Sequence, residues 1–120
     1  MNSCTITVTD ITQKPRNLYD LLSTGSGAGY TVAPAGGIFA PLTIIGSVAY
    51  LSIQASYLNG AAIIYKGDED VKTDGSRQAK ELRPGDTDVQ QAYSYSVYLG
   101  EIYMTASVNG GIFNVEVHYA

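Results

Sequence analysis

Tyr93-Ser-Tyr95-Ser-Val97-Tyr98-Leu99 leads into Glu101-Ile102-Tyr103-Met104-Thr105-Ala106. After an Asn109-Gly110-Gly111 turn the chain runs Ile112-Phe113-Asn114-Val115-Glu116-Val117-His118-Tyr119. Branched and aromatic residues alternate here with polar ones at a period of two, the pattern of half-buried strands. Val115, Val117 and Tyr119 fall on one face of the last strand, and Asn114, Glu116 and His118 on the other. Ile102, Val115 and Val117 are therefore expected in a core. Tyr93 and Tyr95, two apart and on one face, are candidate subunit contacts together with Tyr103. The competing reading is cross-strand packing, in which an aromatic pair contributes roughly 0.2–1 kcal/mol. Sugar stacking fits these positions less well, because Trp usually leads such platforms and the chain has none.

Working outward, Thr5-Ile6-Thr7-Val8-Thr9 reads as a strand with Ile6 and Val8 inward. Leu18, Leu21 and Leu22 switch to helical spacing, with Pro15 before and Gly25 after, which predicts a short helix over 15–23. Thr24 to Gly29 is too glycine-rich to hold an element and reads as a loop. Tyr30 to Ala33 and Ile38 to Phe39 are short strand candidates around the Pro34–Gly37 turn, and Leu42 to Ile45 a further one. Val48 to Ala55 is a firmer strand, with Ala49, Leu51 and Ile53 on one face and Val48, Tyr50 and Ser52 on the other. Asn59-Gly60 predicts a tight hairpin whose return strand is Ala61 to Tyr65. A charged turn over Gly67–Gly75, a strand within Arg77–Leu82 and a Pro84-Gly85-Asp86 turn precede the strands Thr87–Tyr95, Ile102–Ser107 and Ile112–Tyr119. Closely spaced short strands, roughly eight of them, with one helix near the N-terminus predict a single all-β domain over residues 1–120. Its expected form is an antiparallel, jelly-roll-like β-sandwich.

Charged residues make up 15% of the chain and hydrophobic ones 45%, with ten tyrosines, two phenylalanines and a net charge of −4. The charged fraction falls below the usual quarter or so. Tyrosine, an apolar ring with a polar tip, suits sheet faces and interfaces. The acidic balance and scattered basic residues argue against binding nucleic acid through its phosphates. Cys4 is the only cysteine, so neither an internal disulfide nor a multi-cysteine zinc site is expected. No secretory leader or membrane span is read: the longest apolar stretch, residues 38–55, is broken by Pro41 and Gly46.

Each candidate for chemistry has a simpler reading. Asp68-Glu69-Asp70 with Asp74 lacks the spacing of a calcium loop and reads as a solvated turn. His118 has no partner in sequence for acid–base or metal chemistry and reads as a polar outer-face residue. Cys4 reads as a small packing residue. Gly25–Gly29 precedes a strand rather than a helix and lacks the Lys-Ser/Thr of a phosphate-binding loop. No catalytic residue, cofactor site or metal site is expected.

Several short motifs resemble small structural proteins of tailed bacteriophages. They are Asn59, Lys66-Gly67, Leu82-Arg-Pro84-Gly85-Asp86, Leu99-Gly100-Glu101-Ile102-Tyr103 and Val115-Glu-Val117, with Pro15-Arg-Asn-Leu18-Tyr19-Asp20-Leu21-Leu22 near the start. The resemblance implies a non-enzymatic virion component that folds in the host cytoplasm and decorates or cements a capsid or neck. It implies self-association, a trimer being one form, and contact with other virion proteins, without nucleic acid or membrane. A small glycan- or cell-surface-binding module is the alternative, using Tyr93, Tyr95 or the loop near Asp70.

Overall fold

The computed structural model describes residues 2–24, 26–33, 47–91 and 97–118. In chain order its elements are β1 (Asn2–Val8), β2 (Arg16–Asn17), α1 (Leu18–Thr24), β3 (Ser26–Gly27), β4 (Tyr30–Ala33), β5 (Ser47–Val48) and β6 (Tyr50–Ala55). There follow a 3-10 helix (Tyr57–Asn59), β7 (Ile64–Gly67), β8 (Lys80–Leu82), β9 (Thr87–Gln91), β10 (Val97–Tyr98), a second 3-10 helix (Leu99–Glu101), β11 (Tyr103–Ala106) and β12 (Gly111–His118). The larger sheet has the order β3-β4-β1-β12-β6-β9 and the smaller β2-β11-β7-β8, while β5 and β10 form a separate pair. Every pairing is antiparallel.

The pairing is nested. The first strand lies beside the last, β1 with β12; β2 pairs with β11, β6 with β9 and β7 with β8. The β12–β6 and β11–β7 pairings then complete each sheet. Alternation places Cys4, Ile6 and Val8 of β1, Leu51, Ile53 and Ala55 of β6, and Phe113, Val115 and Val117 of β12 on one inner face, all buried. Ile64, Leu82, Met104 and Ala106 from the smaller sheet join the same core, as do Leu18, Leu21 and Leu22 of α1. Each Val, Leu, Ile, Phe or Met among them contributes about 1.5–3 kcal/mol by leaving water, so this shared core is what holds the two sheets together.

The four sheet edges are managed. β3 and β2 are two residues long and β8 three, and short edges offer little template for unwanted pairing. β9 runs five residues but turns polar groups inward. Asp88 lies opposite the buried Ile53, and Gln90 opposite the buried Leu51. Lys66 Nζ reaches Asp88 Oδ2 at 2.6 Å and Gln90 Oε1 at 2.8 Å, and Lys80 Nζ reaches Asp88 Oδ1 at 2.8 Å. Lys66 and Lys80 are cross-strand partners in the smaller sheet. The cluster therefore clamps β9 of one sheet to β7 and β8 of the other.

Several sequence expectations change. Asn59-Gly60 does not close a hairpin: β6 and β7 belong to different sheets, joined by the 3-10 helix. The Asn59 side chain takes up the space and the bonds instead, with Nδ2 donating to Ile112 O at 2.8 Å and Oδ1 accepting from Ile112 N at 2.7 Å. The helix begins at Leu18 rather than 15, because Arg16 and Asn17 pair with Met104 and Tyr103 as β2. Asn17 Oδ1 then accepts from the Asp20 amide at 2.8 Å, as a helix cap does. Ser26 and Gly27, within the expected loop, pair with Thr31 and Tyr30. Val48 is buried and pairs with Val97 in the separate pair, off the line of β6. The strand candidates at 38–39 and 42–45, with the 34–37 turn, fall outside the described residues.

Candidate functional site

The outer face of the smaller sheet carries the most chemistry. Met104 and Ala106 point into the core, so Tyr103 and Thr105 point away from it. Two loops, residues 9–15 and 68–79, lie over this face. Val71 is buried beneath the second loop, and Gly75 sits against the ring of Tyr65. A β-carbon at position 75 would lie 2.7 Å from Tyr65 Cε1, and its φ of 73° is one that glycine adopts without strain.

On either side of Lys14 and Pro15 a depression opens; together the two form one cleft of two lobes, sharing Tyr103 as a common lining residue. This half-buried residue lies between Asn17 on β2 and Gly67 on β7. One lobe, about 380 Å³, runs from Gln13 to Asn17 and past Asp20. The other, about 500 Å³, is walled by Glu69 to Lys72. Lys14, Pro15 and Tyr103 line both.

The cleft is held in shape by bonds from beneath and beside it. The buried phenol of Tyr30 accepts from the Arg16 amide at 3.2 Å and donates to the Met104 carbonyl, tying the larger sheet to β2 and β11. Burial pushes this phenol above its ordinary value, against the weaker opposing effect of the Arg16 amide. The Arg16 guanidinium lies 3.9 Å from Asp20, and its Nε is buried with no hydrogen-bond partner among the described residues. On the far wall Asp68 Oδ1 accepts from the Asp70 amide at 2.9 Å, and Arg77 lies 3.4 Å from Asp70. Asp74 Oδ1 caps the Ser76 amide at 2.9 Å, and the Ser76 hydrogen bonds hold its carboxyl below the ordinary value.

Of the residues singled out from sequence, Tyr103, a candidate subunit contact, lines both lobes of this cleft. Tyr93 and Tyr95 fall outside the described residues. His118 is exposed on the outer face of the larger sheet, 3.5 Å from Glu116 and edge-on to the ring of Tyr50. Cys4 is buried, and burial pushes its thiol up to about 12. Among the described residues no group of three or more His, Cys, Asp and Glu side chains is placed to hold a metal ion, and no helix is long and apolar enough to cross a membrane. Sequence reading missed Lys14, Arg16 and Lys72 as wall residues, and Tyr30 as their support. It also missed the exposed apolar pair Tyr57 and Leu58, 77% and 84% accessible, in the turn after β6. Comparison with protein families, with curated proteins and with solved structures finds no match for this chain.

Proposed function

We propose that this protein is a non-enzymatic structural component of a tailed-bacteriophage virion, a jelly-roll-like β-sandwich that decorates or cements the capsid or neck. The observation that carries the reading is the nested pairing. With β3, β4, β5 and β10 set aside, eight strands fall in the orders β1-β12-β6-β9 and β2-β11-β7-β8. This is the arrangement of a long antiparallel ribbon rolled into two sheets, an architecture used by viral capsid proteins and by lectins. The phage-like turn motifs favour the first of these. Self-association is part of the proposal. Tyr57 and Leu58 give it an apolar knob at the end of the molecule that also bears the Val108 turn, since Ser56, Asn59 and Ile112 are hydrogen-bonded there.

Size exclusion with light scattering should give a defined oligomer, and Leu58→Asp should weaken it without changing the melting temperature. The protein should also cosediment with phage particles deleted for its gene. A strict monomer that leaves such particles unbound would overturn the reading. The alternative, a glycan- or cell-surface-binding module, is favoured by one observation, the Tyr103 cleft.

A further inference from the structure

We infer that the Tyr103 cleft is a binding site for a neutral oligosaccharide, which would cross the tyrosine with sugar units in both lobes. The inference stands on the cleft alone and holds whether or not the protein is carried on a virion.

Charged residues are sparse in this chain, 15% overall, yet the two lobes are lined by six of them, three of each sign. Lys14, Arg16 and Lys72 can only donate hydrogen bonds, while ionised Asp20, Glu69 and Asp70 can only accept them. A ligand that satisfies both sets must donate and accept along its whole length. Hydroxyl groups do both. The balance of sign also selects against charge: a polyanion would meet the three carboxylates, and a polycation the two lysines and Arg16.

The remaining surface suits the other half of a sugar. Pyranose rings present C–H faces, and Tyr103 with Pro15 gives both lobes a shared apolar strip. Each lobe falls within the range of about 300–1,000 Å³ typical of small-ligand sites. The backbone on both walls is held before a ligand arrives, by Asn17 Oδ1 accepting from the Asp20 amide at 2.8 Å and Asp68 Oδ1 accepting from the Asp70 amide at 2.9 Å, which lowers the entropy lost when a ligand is ordered. An extended peptide is the weaker fit. Peptides are commonly taken up by adding a strand to a sheet edge or by filling apolar grooves, whereas this floor is the face of a sheet and its walls are charged.

The test is calorimetry and amide chemical-shift titration of the full chain with maltohexaose, cellohexaose and chitohexaose. At least one should bind with a Kd at or below about 1 mM, which leaves a tenfold loss readable. The shifts should centre on Asn17, Gly67, Tyr103 and the 69–72 loop. Lys14→Ala and Asp70→Asn, both away from the core, should each weaken binding by roughly tenfold. Tyr103→Phe should retain it, and Tyr103→Ala should lose it with the fold checked by thermal melting. Absence of binding by all three sugars would overturn the inference. So would binding unaffected by the Lys14 and Asp70 variants, or cleft shifts produced by polyglutamate or an extended peptide in place of the sugars.

Discussion

Asp88 sits where the inner face of the larger sheet reaches its edge, opposite Ile53, and its neighbours decide its charge. Burial acts to raise its carboxyl, but the hydrogen bonds from Lys66 and Lys80 outweigh that and leave it below the ordinary value. A carboxyl whose folded value is depressed stabilises the fold above its unfolded value and loses that contribution as pH falls through the folded one. Asp88→Asn should therefore cost about 2–3 kcal/mol at neutral pH, chiefly by leaving Lys66 poorly paired. In thermal melts the gap between wild type and variant should narrow steadily as the solution is acidified. A gap independent of pH would show that the clamp does not act through charge. Cys4 behaves in the opposite sense. With its thiol pushed from 9.0 to about 12 by burial, its contribution is intact below the unfolded value and falls as pH climbs toward the folded one. The native protein should leave an aromatic disulfide reagent unreacted at neutral pH, and denaturant should release one thiol. Rapid labelling of the native protein would place Cys4 at the surface.

At the scale of elements, one side chain pins the turn after β6, where the chain leaves for the smaller sheet, to β12 of the larger sheet. Asn59→Ala removes both bonds to Ile112; the Ile112 carbonyl keeps its bond from the Ser56 amide, but the Ile112 N–H loses the Asn59 oxygen, which should cost about 1–3 kcal/mol in chemical unfolding. A loss below the error of the measurement would mean that the 3-10 helix holds without it. Tyr30→Phe, which deletes the bond to the Met104 carbonyl, should cost about 1–2 kcal/mol and speed amide exchange in β2 and β11 above other strands. These two residues mark where sequence reading stops. Alternation reveals β1, β6 and β12, and the spacing of Leu18, Leu21 and Leu22 reveals α1, because a period reports directly which face is buried. Asn59-Gly60 misleads because its hydrogen-bond partner lies 53 positions away, and local turn chemistry carries no trace of such a contact. The inward polar face of β9 is hidden for a similar reason: nothing beside Asp88 and Gln90 in sequence points to Lys66 and Lys80, which reach across from the other sheet. Of the cleft, sequence singles out Tyr103 and the acidic loop near Asp70, but not their meeting. Its walls bring residues 13–17 together with residues 69–72, far apart in sequence, and no local pattern reports that meeting.

For the whole molecule, the pairing of the first strand with the last has a functional consequence. Once β1 and β12 are joined and the edges are short or held by side chains, little main chain among the described residues is left open for pairing with other copies. Assembly then falls to side chains and loops, with Tyr57 and Leu58 as the most exposed apolar group described. The low charge and the single buried cysteine suit a particle whose robustness comes from buried interface area rather than disulfides. The most direct measurement of this account is quantitative mass spectrometry of density-purified phage particles from a lysate in which the protein is made. The protein is expected in the particles at a fixed copy number relative to the major capsid protein, retained through high-salt washing. Its absence from such particles, with the protein recovered only in the soluble fraction, would contradict the account.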